Sequence, residues 1–378
     1  MTSFIPLPQP IERRAILRKR EGLLWEGDGV TNPGVVRLGN GTIAVLYRGC
    51  GSDKNSYLGF CLLDENGREV IEGSRPLQPL TLADDAFPEG FSDPRINQVG
   101  EQYYIFANGR NDKVLKENRA EYDNDFSAYY SGGRQTVALR TLDFQEYEYL
   151  GEYGPDVFDK NSFLHPGPLT INGVQKVAMF HRVQYNIQVA IADKIEDFHD
   201  KNFWRDYIEH LNEHTFARPL FSWEGVGLTT EWPGSIAGGA PPLKVGRHFI
   251  PQTLDQQKQY WVLFYNASGA PRDGTIAEDR NIGALIYCLK DNFDADTQVF
   301  DVVARTPSPI LVAQESYEMN AGNGNIVFVT GALETRDGSA IDIFYGSGDK
   351  VASKARFMTS ELLDYLFQFD AEGKRRST

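Results

Sequence analysis

Five short runs decide how this chain is read: Ala44–Arg48 (AVLYR), Tyr104–Asn108 (YIFAN), Ala178–Arg182 (AMFHR), Val262–Asn266 (VLFYN) and Asp342–Gly346 (DIFYG). Each is apolar and aromatic, and each stops at a corner. The corners fall at 48, 108, 182, 266 and 346, giving intervals of 60, 74, 84 and 80 residues. Recurrence at such a period is the mark of a repeat architecture. A strand-like segment follows each run: Tyr57–Leu63, Thr136–Leu142, Ile187–Ala192, Ile282–Leu289 and Val351–Phe357. Another precedes each. Four of these open at a proline, in Asn32-Pro33, Asp93-Pro94, His165-Pro166 and Ala240-Pro241; the fifth, Asn325–Phe328, does not. Proline at a strand's first residue forfeits no ladder hydrogen bond, so the prolines are expected to start the inner strands. Gly39-Asn40-Gly41, Asn172-Gly173 and Asp337-Gly338 are hairpin turns between first and second strands.

Five repeats of three or four antiparallel strands predict an all-β, five-bladed β-propeller, in which radial repetition protects the sheet edges. Helix is scarce. Asp200–His214 sets Phe203, Tyr207, Ile208 and Leu211 on one face. It is expected as a short helical insertion between blades three and four, packed beside the funnel or against a second subunit of a homo-oligomer. Ser360–Phe369 is a second helical pattern. The expected organisation is an N-terminal extension (1–30), one propeller domain (31–369) and a C-terminal tail (370–378).

Composition narrows the function. The 378 residues are 41% hydrophobic with mean hydropathy −0.40, as in a globular chain. The net charge of −14 argues against a nucleic-acid partner, whose phosphates need cations. No apolar run reaches membrane-spanning length, so no membrane partner is expected. Three cysteines form neither a disulfide framework nor a metal motif, so no metal is expected. Met1–Pro10 lacks the pattern of a secretory signal, and a cytoplasmic setting is the default expectation.

Inner strands of a propeller line its axis, so their starts and the strand-end corners should gather at one mouth. That expectation groups Asn32, Asp93 and His165 with Arg48, Asn108, Arg110, His181, Arg182 and Asn266. Lys244 follows the fourth proline pair, and Asp349 follows the fifth corner. A ring of polar groups among aromatics suits a carbohydrate. Each residue also has a structural alternative. Asn32 could cap a turn, Asp93 could accept from loop amides, and Arg95 could pair with a carboxylate. His165 and His181 could be core histidines, and Arg182 and Lys244 could be solvated strand ends.

In order along the chain stand Asn32-Pro33, Ser92-Asp93-Pro94-Arg95, Phe180-His181-Arg182, Gly238-Gly239-Ala240-Pro241-Pro242-Leu243-Lys244, Ala304-Arg305-Thr306-Pro307 and Tyr345-Gly346-Ser347-Gly348-Asp349. Together they resemble the β-mannoside phosphorylase and β-1,2-mannosidase family, glycoside hydrolase family 130, over about Thr31 to Leu366. The resemblance implies a five-bladed propeller that cleaves a β-mannosidic bond with inversion. It implies no cofactor, with inorganic phosphate as co-substrate and a β-mannosyl disaccharide or oligosaccharide as substrate. Asp93 takes the role of general acid, and Arg182, Lys244 and Asn266 take positions at the phosphate. Asn32 and Asp349 take positions at the mannosyl unit, where Arg48, Asn108, His165 and His181 are expected to join them. Glycosidases generally use two carboxylates, and five-bladed enzymes of the invertase and arabinanase kind carry an aspartate where this chain has Asn32. In the phosphorylases, phosphate replaces the second carboxylate as nucleophile. The chain departs from the pattern at Asn266, commonly His, at Ser92, and in lacking an arginine near Tyr57. Phosphorolysis is the leading expectation. Hydrolysis is the alternative, with Glu224, Glu231 and Glu278 as candidate bases. A non-catalytic sugar-binding propeller is the alternative of another class.

Overall fold

The computed structural model describes residues 5–70, 75–82, 84–121, 133–183, 186–218, 235–268, 279–291, 299–319 and 324–376. Its first strand, β1 (Glu12–Leu17), is set aside until the ring closes. Blade one is β2 (Gly29–Arg37), β3 (Ile43–Cys50) and β4 (Ser56–Leu63). Blade two is β5 (Phe91–Val99), β6 (Gln102–Arg110), β7 (Arg134–Thr141) and β8 (Glu148–Glu152). In blade three, β9 (Asp159–Leu164) and β10 (Leu169–Ile171) share one edge of β11 (Val174–Val183), followed by β12 (Ile187–Ala192) and β13 (Thr215–Ala217). In blade four, β14 (Ser235–Gly238) and β15 (Leu243–Lys244) share one edge of β16 (Tyr260–Ser268), followed by β17 (Arg280–Leu289) and β18 (Phe300–Arg305). Blade five is β19 (Val327–Glu334), β20 (Ala340–Ser347), β21 (Val351–Met358) and then β1. The fold is a five-bladed β-propeller, and the five recurring runs are the second strands of its blades.

Alternation along those second strands builds the core. On β3, Ala44 and Leu46 pack with blade two, whereas Val45 and Tyr47 pack with blade five. Five apolar clusters result, one at each seam between neighbouring blades. Asparagines reinforce the seams. Asn97 of blade two donates to Leu164 O and accepts from Leu164 N in blade three. Asn266 of blade four does the same with Val329 of blade five.

The structure corrects the reading of the inner strands. Pro33 and Pro94 do not start β2 and β5; they sit inside them, at bulges. Between Thr31↔Arg48 and Gly34↔Leu46, two residues oppose one, and likewise between Ser92↔Asn108 and Arg95↔Phe106. A bulge releases the ladder hydrogen bond that proline cannot make. Blade three repeats the bulge between Lys160↔Arg182 and Phe163↔Phe180, without a proline.

Three further expectations change. The expected N-terminal extension contributes to the propeller: within it, β1 pairs with β21 as the outer strand of blade five. The tail folds back: Arg376 donates from its backbone to Gln368 O and from Nε to Phe369 O, and Nη2 reaches Val303 O on β18. Helix α2 (Lys201–Glu209) is not between blades three and four. It lies within blade three, because β13 after it returns to pair with β12. Its buried face is led by Trp204, Tyr207 and Leu211, with Phe203 and Ile208 at the margin, and packs on Tyr104, Phe106 and Met179 of the chain's own core. That face is therefore no reason for a second subunit. Helix α1 (Asp112–Glu121), between β6 and β7, had no sequence expectation; α3 (Thr359–Leu366) matches one.

Candidate active site

The three bulges present Asn32, Asp93 and Asn161 in left-handed backbone, with φ of 51°, 55° and 62°. Asparagine and aspartate tolerate this region better than other side chains with a Cβ. The bulges sit at one level, each one step past the residue opposite the corners Arg48, Asn108 and Arg182. Three polar side chains from three blades therefore reach one end of the axis.

Asp93 is held from both sides. Asn32 Nδ2 donates to Asp93 Oδ1 at 2.6 Å, and Asn108 Nδ2 donates to Oδ2 at 3.0 Å. The amides are themselves fixed: Asn32 Oδ1 accepts from the Thr31 hydroxyl, and Asn108 Oδ1 accepts from Asn161 N. Gly346, the corner of blade five, has no side chain because the space is taken. A Cβ there would lie 1.8 Å from Asn32 Oδ1. Arg48 Nη1 lies 3.8 Å from Asp93 Oδ1. Burial works to raise the Asp93 pKa, but Arg48 above all, then Asn32, Arg95 and Lys160, outweigh it and hold the carboxyl below its usual range. The side chain keeps 15% of its exposure.

Arg95 is wholly buried and, contrary to expectation, makes no salt bridge with a carboxylate among the described residues. It donates to the backbone oxygens of Asp93, Gly238 and Gly239 and to Asn161 Oδ1, tying blades two, three and four together beneath the bulges. Burial lowers its pKa to about 10. Asn161 Nδ2 is buried and has no partner among the described residues.

A cationic group stands on the blade-three side. Lys160 pairs with Arg182 across β9 and β11 and sits 5.2 Å over the Phe158 ring. Burial first, then the charges of Arg182 and Arg280, pushes the Lys160 ammonium well below its usual range. Arg280 and Arg95 both lie over the Phe328 ring, at 5.7 and 5.9 Å. Cations packed this closely cost free energy that a bound anion would offset. Arg110 joins the blade-one side, sharing Ser56 Oγ with Arg48.

Of the residues expected from sequence, Asn32, Arg48, Asp93, Asn108 and Arg182 come together. Asp349, at φ 56° in the β20–β21 turn, lies at the same end and lines a cleft with Arg48. Four others do not serve as expected. His165 follows β9 at its far end, where its backbone N donates to Ala178 O; the ring packs against Trp261 and Phe300. Lys244 is exposed on β15 opposite Trp261, at the end of blade four remote from the Asn266 corner. His181 is buried with both nitrogens used. Nδ1 donates to Asp159 Oδ1, since a carboxylate only accepts, and Nε2 faces the Tyr207 hydroxyl at 2.7 Å. It anchors α2 rather than reaching the funnel. Asn266 is at the right end, but its whole amide is spent on Val329. Glu224, Glu231 and Glu278 lie outside the described residues. Sequence reasoning missed Lys160, Asn161 and Arg280; the available signal was the run Asp159-Lys160-Asn161, an asparagine beside a cation ahead of the third corner.

No protein-family model matches the chain. By sequence it is 24% identical over 279 residues to the β-1,2-mannobiose phosphorylase of Listeria innocua serovar 6a, covering 73% of this chain. The aligned part spans 60% of the length of that relative. By structure it matches β-1,2-mannobiose phosphorylase from Listeria innocua in complex with β-1,2-mannobiose, with TM-score 0.59 and 17% identity over 92% of this chain and 98% of the other. It also matches a mannose phosphorylase from Leishmania mexicana in complex with phosphate ion, with TM-score 0.51 and 12% identity over 95% and 91%. Among the described residues no helix is long and apolar enough to cross a membrane. In sequence and in fold the chain is thus similar to β-1,2-mannobiose phosphorylase, which supports the resemblance to glycoside hydrolase family 130 read from its motifs.

Proposed function

We propose that the protein is a glycoside phosphorylase that cleaves β-mannosidic bonds with inversion and releases mannose 1-phosphate. The observation that carries this reading is one carboxylate, Asp93, gripped by two amides beside the cations Lys160, Arg182 and Arg280. The likeness to mannoside phosphorylases adds to it. A phosphate oxygen held by the cations attacks the anomeric carbon from the face opposite the leaving group. The bond from that carbon to the glycosidic oxygen breaks, its electron pair stays on the oxygen, and Asp93 delivers the proton. Phosphate bound beside Lys160 also brings negative charge near Asp93, opposing the pull of Arg48 above all and of Asn32, Arg95 and Lys160 after it, and so favours the protonated form a general acid needs. Asn32 and Asn108 orient the carboxyl throughout. Asn32 and Asp349, the residues the family resemblance puts at the mannosyl unit, frame the sugar. Inorganic phosphate is a co-substrate, and no other cofactor is required. The test is incubation of the protein with β-1,2-mannobiose in the presence and absence of phosphate, followed by product analysis. Mannose 1-phosphate formed only with phosphate supports phosphorolysis. Free mannose formed at the same rate without phosphate assigns hydrolysis instead.

A further inference from the structure

The chain before the first blade does more than supply β1. Between β1 and β2 it forms one wall of a cleft of about 810 Å³ whose other wall belongs to the active site. Arg18, Lys19, Glu21 and Asp28 line it on one side, and Arg48 and Asp349 on the other. The cleft therefore opens directly beside Asp93, since Arg48 Nη1 is 3.8 Å from its Oδ1.

This wall is anchored by buried groups. Glu26 is fully buried and accepts from Arg20 N, Arg20 Nη2 and the Tyr47 hydroxyl, the residue before the Arg48 corner. Trp25 stacks on Tyr47 with centroids 6.1 Å apart and donates from Nε1 to Leu77 O. Gly49 makes room for it, because a Cβ there would lie 2.5 Å from the indole. A buried carboxylate is expensive and adds little net stability, so its use here points to positioning. What it positions are four exposed charged residues that line the cleft.

Direction decides what the cleft holds. Inversion requires nucleophile and leaving group on opposite faces of the anomeric carbon. The cations stand on the blade-three and blade-four side of Asp93, and the cleft lies between blades one and five. We propose that this cleft is the subsite for the leaving sugar, and that residues 18–28 determine which acceptor the enzyme accepts. The inference rests on the mannoside reading above. The lining mixes Arg18, Lys19, Arg48 and Lys350 with Glu21, Asp28 and Asp349, so neither sign dominates. Hydroxyl groups are served by such alternating donors and acceptors, and a phosphorylated or carboxylated acceptor gains nothing from them. The acceptor is therefore a neutral sugar unit.

Two substrates separate the possibilities: β-1,2-mannobiose, and β-mannosyl fluoride, whose leaving group is a single atom. Both are assayed with phosphate, using wild type, Arg18→Ala, Glu21→Ala and Arg18→Lys. The ratio of kcat/KM on mannobiose to kcat/KM on the fluoride is expected to fall about tenfold in each alanine variant, as for loss of a charged hydrogen bond in binding. Arg18→Lys should recover part of it. Both residues replaced are exposed, and a thermal melt matched to wild type checks the fold. An unchanged ratio in both alanine variants overturns the inference while leaving the mannoside reading intact. Wild type inert on both substrates overturns the mannoside reading, and the inference falls with it.

Discussion

Asn32 and Asn266 are the same residue type, equally buried at 3% exposure, at the same end of the propeller. One sits at the seam of blades one and two, the other at the seam of blades four and five. Asn32 stands in a left-handed bulge and gives its Nδ2 to a carboxylate. Asn266 stands in a regular ladder opposite Ala237 and spends both ends of its amide on the backbone of one residue, Val329. The partner separates them: an amide satisfied by backbone holds the ring together, and an amide on a carboxylate prepares a reacting group. The whole molecule divides the same way. Blades one to three carry Asn or Asp at their bulges; blade five carries Thr330 at its own and ties it to Pro33 O of blade one, and blade four has Gly238 and Gly239 there.

The largest effect that would sharpen this contrast comes from the carboxylate itself. Asp93→Asn keeps the shape and removes the proton, so turnover of β-1,2-mannobiose should fall roughly 10²- to 10⁴-fold. An activated aryl mannoside, whose leaving group needs little protonation, should lose far less. Equal losses on both substrates would move Asp93 from chemistry to sugar binding.

Next come the cations. Lys160→Ala or Arg182→Ala should raise the phosphate KM about tenfold or more, each removing a charge-assisted contact. A pH profile adds a sign. Burial and neighbouring cations lower the Lys160 pKa, so its charge is present at low pH and is lost, as pH rises, earlier than for an ordinary lysine. Phosphate affinity should weaken on the alkaline side accordingly, and Lys160→Arg should remove that limb because arginine stays charged. A wild-type phosphate KM that does not rise with pH on that side would contradict the assignment.

Asn266→Ala turns the contrast around. It strands the N–H and C=O of Val329, which should cost about 2–3 kcal/mol in a denaturant titration. The phosphate KM of the folded protein should stay within about twofold. A large rise in that KM without loss of stability would return Asn266 to the phosphate site. The smallest effect is expected at Lys244→Ala: an exposed strand end remote from the site should change stability by no more than about 0.5 kcal/mol and leave the phosphate KM alone.

The sequence showed the five corners well, because the second strand of each blade is regular, buried on both faces and aromatic. It also showed the bulge residues of blades one and two, whose proline marks the place. Blade three misled for a physical reason. His165 precedes its corner by 17 residues, close to the 16 of Asn32 and the 15 of Asp93. The inner edge of that blade is broken into β9 and β10, so the true bulge residue, Asn161, lies 21 residues ahead of the corner and has Ser162 where the others have proline. Lys244 misled because it follows a motif, and motif order carries no information about which end of a strand a residue occupies. Nothing in the pattern of residues 12–17 distinguished a strand from part of an N-terminal extension, since the pairing partner is more than 330 positions away.

That pairing has a kinetic consequence. Glu12 faces Arg356 and Leu17 faces Ala352, so the last blade is complete only when the two remote parts of the chain have met. Contacts of such separation form late, because nearly the whole chain must be ordered before they repay the loop they close. Blades one to four can assemble from neighbours in order, and the cleft wall at residues 18–28, pinned to Tyr47 by Trp25 and Glu26, can form with blade one; the facing wall at Asp349 and Lys350 belongs to blade five and meets it only when the ring closes. The propeller should therefore gain its blades first and its selectivity for the leaving sugar last, and in unfolding lose them in the opposite order.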